Sequence, residues 1–141
     1  MTADAPKLIE LAFAARKQAY APYSGFAVGA ALLCESGKIY TGCNIESASF
    51  TPTNCGERTA FFKAISEGER NFSAIAIVGG PKEKDAGEVD FCSPCGVCRQ
   101  VMREFCKPED FQVILAASPQ EYQVYTLEQL LPLSFGPGNL S

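Results

Sequence analysis

The sequence predicts an α/β fold, a three-layer α/β/α sandwich on a mixed five-stranded sheet, and three observations carry that expectation. Helical and strand patterns alternate along most of the chain, which requires crossovers over a sheet. Residues 26–34 are apolar at nearly every position, as a strand covered on both faces must be. Two thiol-bearing helix starts, Cys55-Gly56-Glu57 and Pro94-Cys95-Gly96-Val97-Cys98, each come after strand patterns, so a sheet can bring them to one edge. With 141 residues the chain is long enough to bury a core of its own, and one domain over 1–141 is expected.

Taken in order, Asp4 and Pro6 are helix-start residues. Leu8, Leu11, Ala12, Ala15 and Ala19 then recur on one face of a helix closed by the turn Ala21-Pro22-Tyr23-Ser24-Gly25. Glu35-Ser36-Gly37-Lys38 turns the strand at 26–34 into a second at 39–45, giving a hairpin. An irregular polar stretch, 46–54, follows. Asn54 has the character of an N-cap with Glu57 three positions on, and Ala60, Phe61, Ala64 and Ile65 supply a buried face before Gly68 stops the helix. Residues 73–78 are a short β-rich run, and 79–90 a charged loop containing Gly and Pro. The helix opened by Pro94 runs to about Cys106, 111–116 and 122–125 read as two more strands, and 126–131 is a turn of helix capped in Thr-x-x-Gln fashion.

Composition excludes several kinds of chemistry. The formal charge is -4 and no basic cluster exceeds Arg16-Lys17, so the chain lacks the stripe that neutralises phosphates and is not expected to bind nucleic acid. No apolar run approaches the roughly 20 residues that cross a bilayer, and residues 1–20 lack the pattern of a secretory leader; no membrane association is expected, and the location is read as cytoplasmic. An odd count of 7 cysteines in such a chain favours ligation or buried thiols over disulfides. The absence of histidine removes Ser-His and Cys-His nucleophile machinery, leaving proton transfer to a carboxylate, lysine, tyrosine or thiol.

The Cys-x-x-Cys turn lets two sulfurs point at one ion, and the helix behind it directs its positive end at their charge. Cys55 offers a third thiol. Three protein ligands, Cys55, Cys95 and Cys98, leave a fourth position on zinc open, which is the catalytic arrangement. A thioredoxin-like redox pair would need no Cys55-Gly56-Glu57 partner. Cys92-x-x-Cys95-x-x-Cys98 matches the start of a ferredoxin run, but Met102 stands where the fourth cysteine belongs, so an iron-sulfur module is the weaker alternative. Cys34, Cys43 and Cys106 are expected in the core.

Glu57 alone would be read as a capping partner of Asn54. Two residues from a metal ligand, it is also placed to move protons at a metal site. Arg58 can donate hydrogen bonds to a ligand sulfur and offset the thiolate charge. Asn44 and Glu46, just past a strand, form a polar pair able to fix ligand hydroxyls.

The combination of Cys55-Gly56-Glu57 with Pro94-Cys95-Gly96-Val97-Cys98 resembles the zinc-dependent nucleoside and nucleobase deaminases, a class in which a non-ligand Glu is the acid/base. The segments YAPYSGFAVGAALL, GCNIESASF, CGERTAFFKAISEG, SPCGVCRQVMREF and LEQLLPLSFGP are similar to the small homotetrameric cytidine deaminases in register from Tyr20 to Pro137. The resemblance implies a cytidine deaminase-like fold and one Zn2+ per chain on Cys55, Cys95 and Cys98, with Glu57 as proton shuttle. It further implies that Asn44 and Glu46 bind the ribose, Phe26 packs on the base, Gly56 contributes its backbone amide and Arg58 tempers the thiolates. Phe135 matches a tail residue that completes a neighbouring subunit's site. The expected reaction is hydrolytic deamination of cytidine and deoxycytidine, a step of pyrimidine salvage on a small-molecule nucleoside. A deaminase of a cytosine-containing antibiotic nucleoside is the nearest alternative, disfavoured by Asn44-Ile45-Glu46. Three features depart from the family pattern: Gly56 where alanine is frequent, a longer 80–92 loop, and Cys92, which belongs to no family motif and is expected to be a bystander.

Overall fold

A computed structural model describes residues 4–140. The elements are α1 (Ala5–Arg16), β1 (Phe26–Cys34), β2 (Ile39–Cys43), α2 (Gly56–Ser66), β3 (Phe72–Pro81), α3 (Gly96–Phe105), β4 (Gln112–Ser118), β5 (Glu121–Thr126) and α4 (Leu127–Leu130), with a short 3-10 turn at Pro137–Asn139. The sheet order is β2-β1-β3-β4-β5. Only β3 and β4 run parallel, joined by the crossover through α3; the other pairs are antiparallel. This is the expected mixed five-stranded sheet between helical layers.

The pleat of β1 explains why its sequence is apolar throughout. Ala30, Leu32 and Cys34 face one core together with Phe61, Met102, Phe111 and Leu127. Ala31 and Leu33 face the other, with Leu8, Ile9 and Ala12 of α1 and Ala74, Ala76, Val78 and Ile114 of the sheet. Alternate residues of one strand thus feed two cores, so neither face can carry polar groups. The strand β5 is exposed over most of its length and forms the outer edge.

Several boundaries differ from the sequence expectation. The buried stripe of α1 is Ala5, Leu8, Ile9, Ala12 and Arg16, and the helix ends before Ala19. The strand β2 stops at Cys43, because Ile45 leaves the ladder to bridge both Tyr20 and Asn54. Asn54, being in that bridge, is not the N-cap of α2; its side-chain amide donates to Thr59 Oγ1 at 3.1 Å, and Cys55 is the cap. The strand β3 continues to Pro81, since Gly79, Gly80 and Pro81 pair with Val28, Ala27 and Phe26 of β1. Charge and Gly/Pro content hid that pairing. Cys34 and Cys106 are core residues, whereas Cys43 is half-buried and outside both cores.

A glycine sets the distance between α2 and the sheet. A Cβ at Gly42 would lie 2.5 Å from both Gly56 O and Ala60 N. Gly42→Ala must therefore push the start of α2 off β2. The expected cost is about 2–3 kcal/mol of stability, as for other overpacked cores, read as a lowered denaturation midpoint with reduced activity; an unchanged midpoint would show that α2 can shift freely.

Candidate active site

Both thiol-bearing helix starts use cysteine as the capping residue. Cys55 caps α2 in extended conformation and makes no side-chain cap bond, which leaves its sulfur available to the other two thiols. Cys95 caps α3, and its Sγ accepts the backbone N–H of Cys98 at 3.4 Å. The two helix N-termini therefore point at one spot, where their dipoles favour negative charge.

The Sγ atoms of Cys55, Cys95 and Cys98 all lie within 4.8 Å of one another. The Cys55–Cys95 separation is 3.9 Å and the Cys95–Cys98 separation 3.4 Å. Sulfurs arranged tetrahedrally about zinc at about 2.3 Å stand roughly 3.8 Å apart. The trio thus fits one zinc ion per chain, in donor type and in spacing. Among the described residues no other group of three His, Cys, Asp or Glu side chains comes together in this way, and Cys92 is not part of the trio.

Electrostatics prepare the trio for a cation. A hydrogen bond from Cys98, reinforced by Arg58, lowers the Cys55 pKa to about 5, against opposing burial. The same sharing of a proton with Cys55, together with burial, pushes Cys98 upward. One proton between two sulfurs accounts for both shifts, and a thiophilic metal would displace it. Arg58 Nη2 donates to Cys55 Sγ at 3.3 Å, so the guanidinium shares the thiolate charge directly.

Glu57 is 4% exposed, beside the thiols. Burial, with the Cys55 charge adding to it, raises its carboxyl to about 7. A carboxyl so placed can gain or lose a proton near neutrality, which an exposed glutamate cannot.

A pocket of about 330 Å³ opens over these groups. It is lined by Ser24, Phe26 and Val28 of the turn and strand β1, by Asn44, Glu46 and Thr53 of the stretch after β2, and by Cys55, Glu57, Cys92, Ser93 and Cys95. Phe26 is 42% exposed and presents its ring to this space. Asn44 is buried and tied to β1: its Oδ1 accepts from Val28 N and its Nδ2 donates to Phe26 O, both at 2.8 Å. That amide continues the β1–β2 ladder past the end of β2, and it retains one further hydrogen and one lone pair. Glu46 accepts from Tyr23 N at 3.0 Å, from Ser24 N at 3.1 Å and from Ser24 Oγ. The Ser24 hydroxyl bond, ahead of the backbone bonds, holds its carboxyl below the usual carboxylate range. Because the folded value is depressed, this pin is fully present above the unfolded pKa and is lost as pH falls through the folded one.

Gly56 is buried at the first turn of α2, and a Cβ there would meet Val28 Cγ1 and Val28 O at 3.3 Å. Phe135 stands apart from this pocket: it is 58% exposed and lines a separate cavity with Gln100, Glu104 and Leu140.

Sequence reasoning missed Ser24, Val28, Thr53, Ser93 and the wall position of Cys92. It also missed Arg99, whose guanidinium donates to Pro94 O at 2.8 Å, Ser93 Oγ at 2.6 Å and Leu130 O, fastening the Cys-x-x-Cys turn to α4. An arginine one residue after the second cysteine was the available signal; its partners lie too far along the chain to be read locally.

Comparison with known proteins bears on the chain as a whole. Residues 2–114 match the family model described as the cytidine and deoxycytidylate deaminase zinc-binding region. A cytidine deaminase of Sporosarcina psychrophila is 49% identical over 138 residues, covering 98% of this chain and 96% of that one. A cytidine deaminase of Halalkalibacterium halodurans is 48% identical over 132 residues, 94% of each chain. The crystal structure of cytidine deaminase from Burkholderia pseudomallei superposes with a TM-score of 0.80 at 47% identity, covering 96% of this chain and 100% of that one.

Proposed function

The chain belongs to the cytidine and deoxycytidylate deaminase family, and from that membership we propose how its own residues carry out the reaction. The activity is hydrolytic deamination of cytidine and deoxycytidine to uridine and deoxyuridine with release of ammonia, which fits pyrimidine salvage. The observation that carries this reading is the three-thiol group with a buried carboxylate beside it, with Cys55, Cys95 and Glu57 lining one pocket.

Cys55, Cys95 and Cys98 hold one zinc ion, whose Lewis acidity makes water nucleophilic at neutral pH. Glu57 takes a proton from the attacking water and delivers it to ring N3 as the oxygen adds to C4. It then takes the second proton from the hydroxyl now on C4 and passes it to the amine, which leaves as ammonia as the C4 carbonyl forms, so a single carboxylate serves as base and acid. Its pKa, raised to about 7, suits both roles. Arg58 withdraws charge from the Cys55 sulfur. The Gly56 backbone amide, at the N-terminus of α2, is a donor for charge that develops on the ring. Phe26 packs on the base. Asn44 and Glu46 take the ribose hydroxyl; the carboxylate of Glu46, kept ionised by Ser24, is the acceptor.

We assign the cytoplasm as location and a homotetramer as the assembly; no helix among the described residues is long and apolar enough to cross a membrane. The exposed Phe135, which does not line its own chain's pocket, supports a role in a neighbouring subunit's site. Phe135→Ala is expected to raise KM for cytidine by about tenfold, the size of a lost aromatic contact of about 1–1.5 kcal/mol, with the oligomer intact by light scattering. Unchanged kinetics in an intact oligomer would remove that role.

The direct test is to follow cytidine absorbance with purified protein while measuring bound metal. One zinc per chain and steady conversion to uridine are expected; a zinc-loaded protein inert toward cytidine and deoxycytidine would overturn the reading.

A further inference from the structure

We propose that Cys92 is a specificity-determining residue for the pyrimidine base, its thiol forming the pocket wall against the C5 edge and limiting the substituent that carbon can carry. The proposal rests on the deaminase reading above and gives a task to the 82–92 segment and its final cysteine.

The segment is folded down onto the end of β3 through two consecutive glycines. A Cβ at Gly80 would lie 2.5 Å from Val89 Cγ1, and one at Gly79 would lie 2.8 Å from Cys92 Sγ and 3.1 Å from Val28 Cγ2. Val89 and Cys92 therefore each occupy the space a side chain would have taken. Backbone bonds from Lys82 N to Gly25 O and from Gly87 N to Ala117 O, at 2.9 and 2.8 Å, hold the segment in place. Arg16 adds bonds to Gly80 O, Pro81 O and Lys84 O. The result is a fixed position for one sulfur, in a residue that lines the pocket together with Glu57, Cys55 and Cys95 and feels the charges of Glu57 and Cys55.

Two features orient the assignment. The sulfur already fills the notch at Gly79, so a larger side chain at 92 has no room on that side, and the residue lines the pocket on another. The wall is also neutral and weakly polar, since burial pushes the thiol up to about 11. A weakly polar wall suits a C–H edge rather than N3 or O2, which need hydrogen-bond partners. With Glu57 serving N3 on one side of C4, the ring atom on the other side of C4 is C5.

The test uses zinc-loaded enzyme with metal content measured for every variant. In Cys92→Ala, kcat/KM for 5-methylcytidine relative to cytidine should rise by about tenfold, the discrimination one methyl group commands in an apolar pocket; in Cys92→Ile the ratio should fall. Inhibition constants of 5-methyluridine and uridine should shift in the same sense, a reading that needs no turnover. If Cys92→Ala loses zinc, Cys92→Val carries the comparison, with the ratio expected to fall. A ratio within twofold of wild type in a zinc-loaded variant, or an equal gain for N4-methylcytidine, would overturn the assignment. Wild-type protein inert toward cytidine would instead count against the deaminase reading, and the inhibitor ratio would still decide the wall.

Discussion

Glu57→Gln should retain one zinc per chain and lose kcat for cytidine by about 10³-fold or more, the upper part of the range for general acid–base catalysis. The loss is large because a single side chain is asked for every proton transfer, and the chain has no histidine to substitute for it. Among the other pocket residues, Glu46 is committed to Ser24 and Tyr23, and its depressed pKa makes it a poor acid. Glutamine preserves the volume of a buried side chain, so the fold and KM should change little, and the defect should appear in kcat. Metal analysis separates this outcome from ligand loss: Cys98→Ala should lose both zinc and activity. Turnover within tenfold of wild type in zinc-loaded Glu57→Gln would remove Glu57 from the mechanism.

Arg16→Met should lower stability by about 3 kcal/mol, with a drop in Tm on the order of 10 °C for a chain of this size. Arg16 is buried at the end of α1, and its guanidinium makes four hydrogen bonds to backbone carbonyls: Ala27 O at 2.9 Å, Gly80 O at 2.9 Å, Pro81 O at 2.6 Å and Lys84 O at 2.6 Å. Methionine keeps the apolar stem and removes every donor, leaving buried acceptors without partners. Those carbonyls belong to the start of β1, the end of β3 and, through Lys84, the 82–92 segment, so that segment should also become more sensitive to proteolysis. Chemical denaturation that changes by less than 1 kcal/mol would show that water or neighbouring amides replace the guanidinium.

The parts legible in the sequence are those fixed by neighbours three or four positions apart. The Cys95-x-x-Cys98 turn, the helix stops near Gly68 and Cys106 and the Thr126–Gln129 cap are local hydrogen-bonding problems, and the structure shows each in place. The two-sided burial of β1 was legible because an uninterrupted apolar run has few other solutions. Where the sequence misled, a distant partner overrode a local preference. Asn54 has the side chain of a helix cap, but its backbone is claimed by Ile45, so the capping role passed to Cys55. Gly79, Gly80 and Pro81 have loop composition, yet pairing with β1 makes them strand.

The sequence by itself therefore determined the chemistry available: three thiols, one nearby carboxylate and one arginine, at spacings that resemble a deaminase and with no histidine to offer another route. The tertiary structure decided where that chemistry is held. It brought Cys55 to within 3.9 Å of Cys95 across 40 residues. It buried Glu57 deeply enough to move its pKa, turned Arg16 from half of a basic pair into an internal clamp, and seated Cys92 in the pocket wall. The physical reason is the same in each case. Identity and short-range geometry are written in consecutive residues, whereas burial and desolvation depend on which distant strands and helices the sheet places side by side.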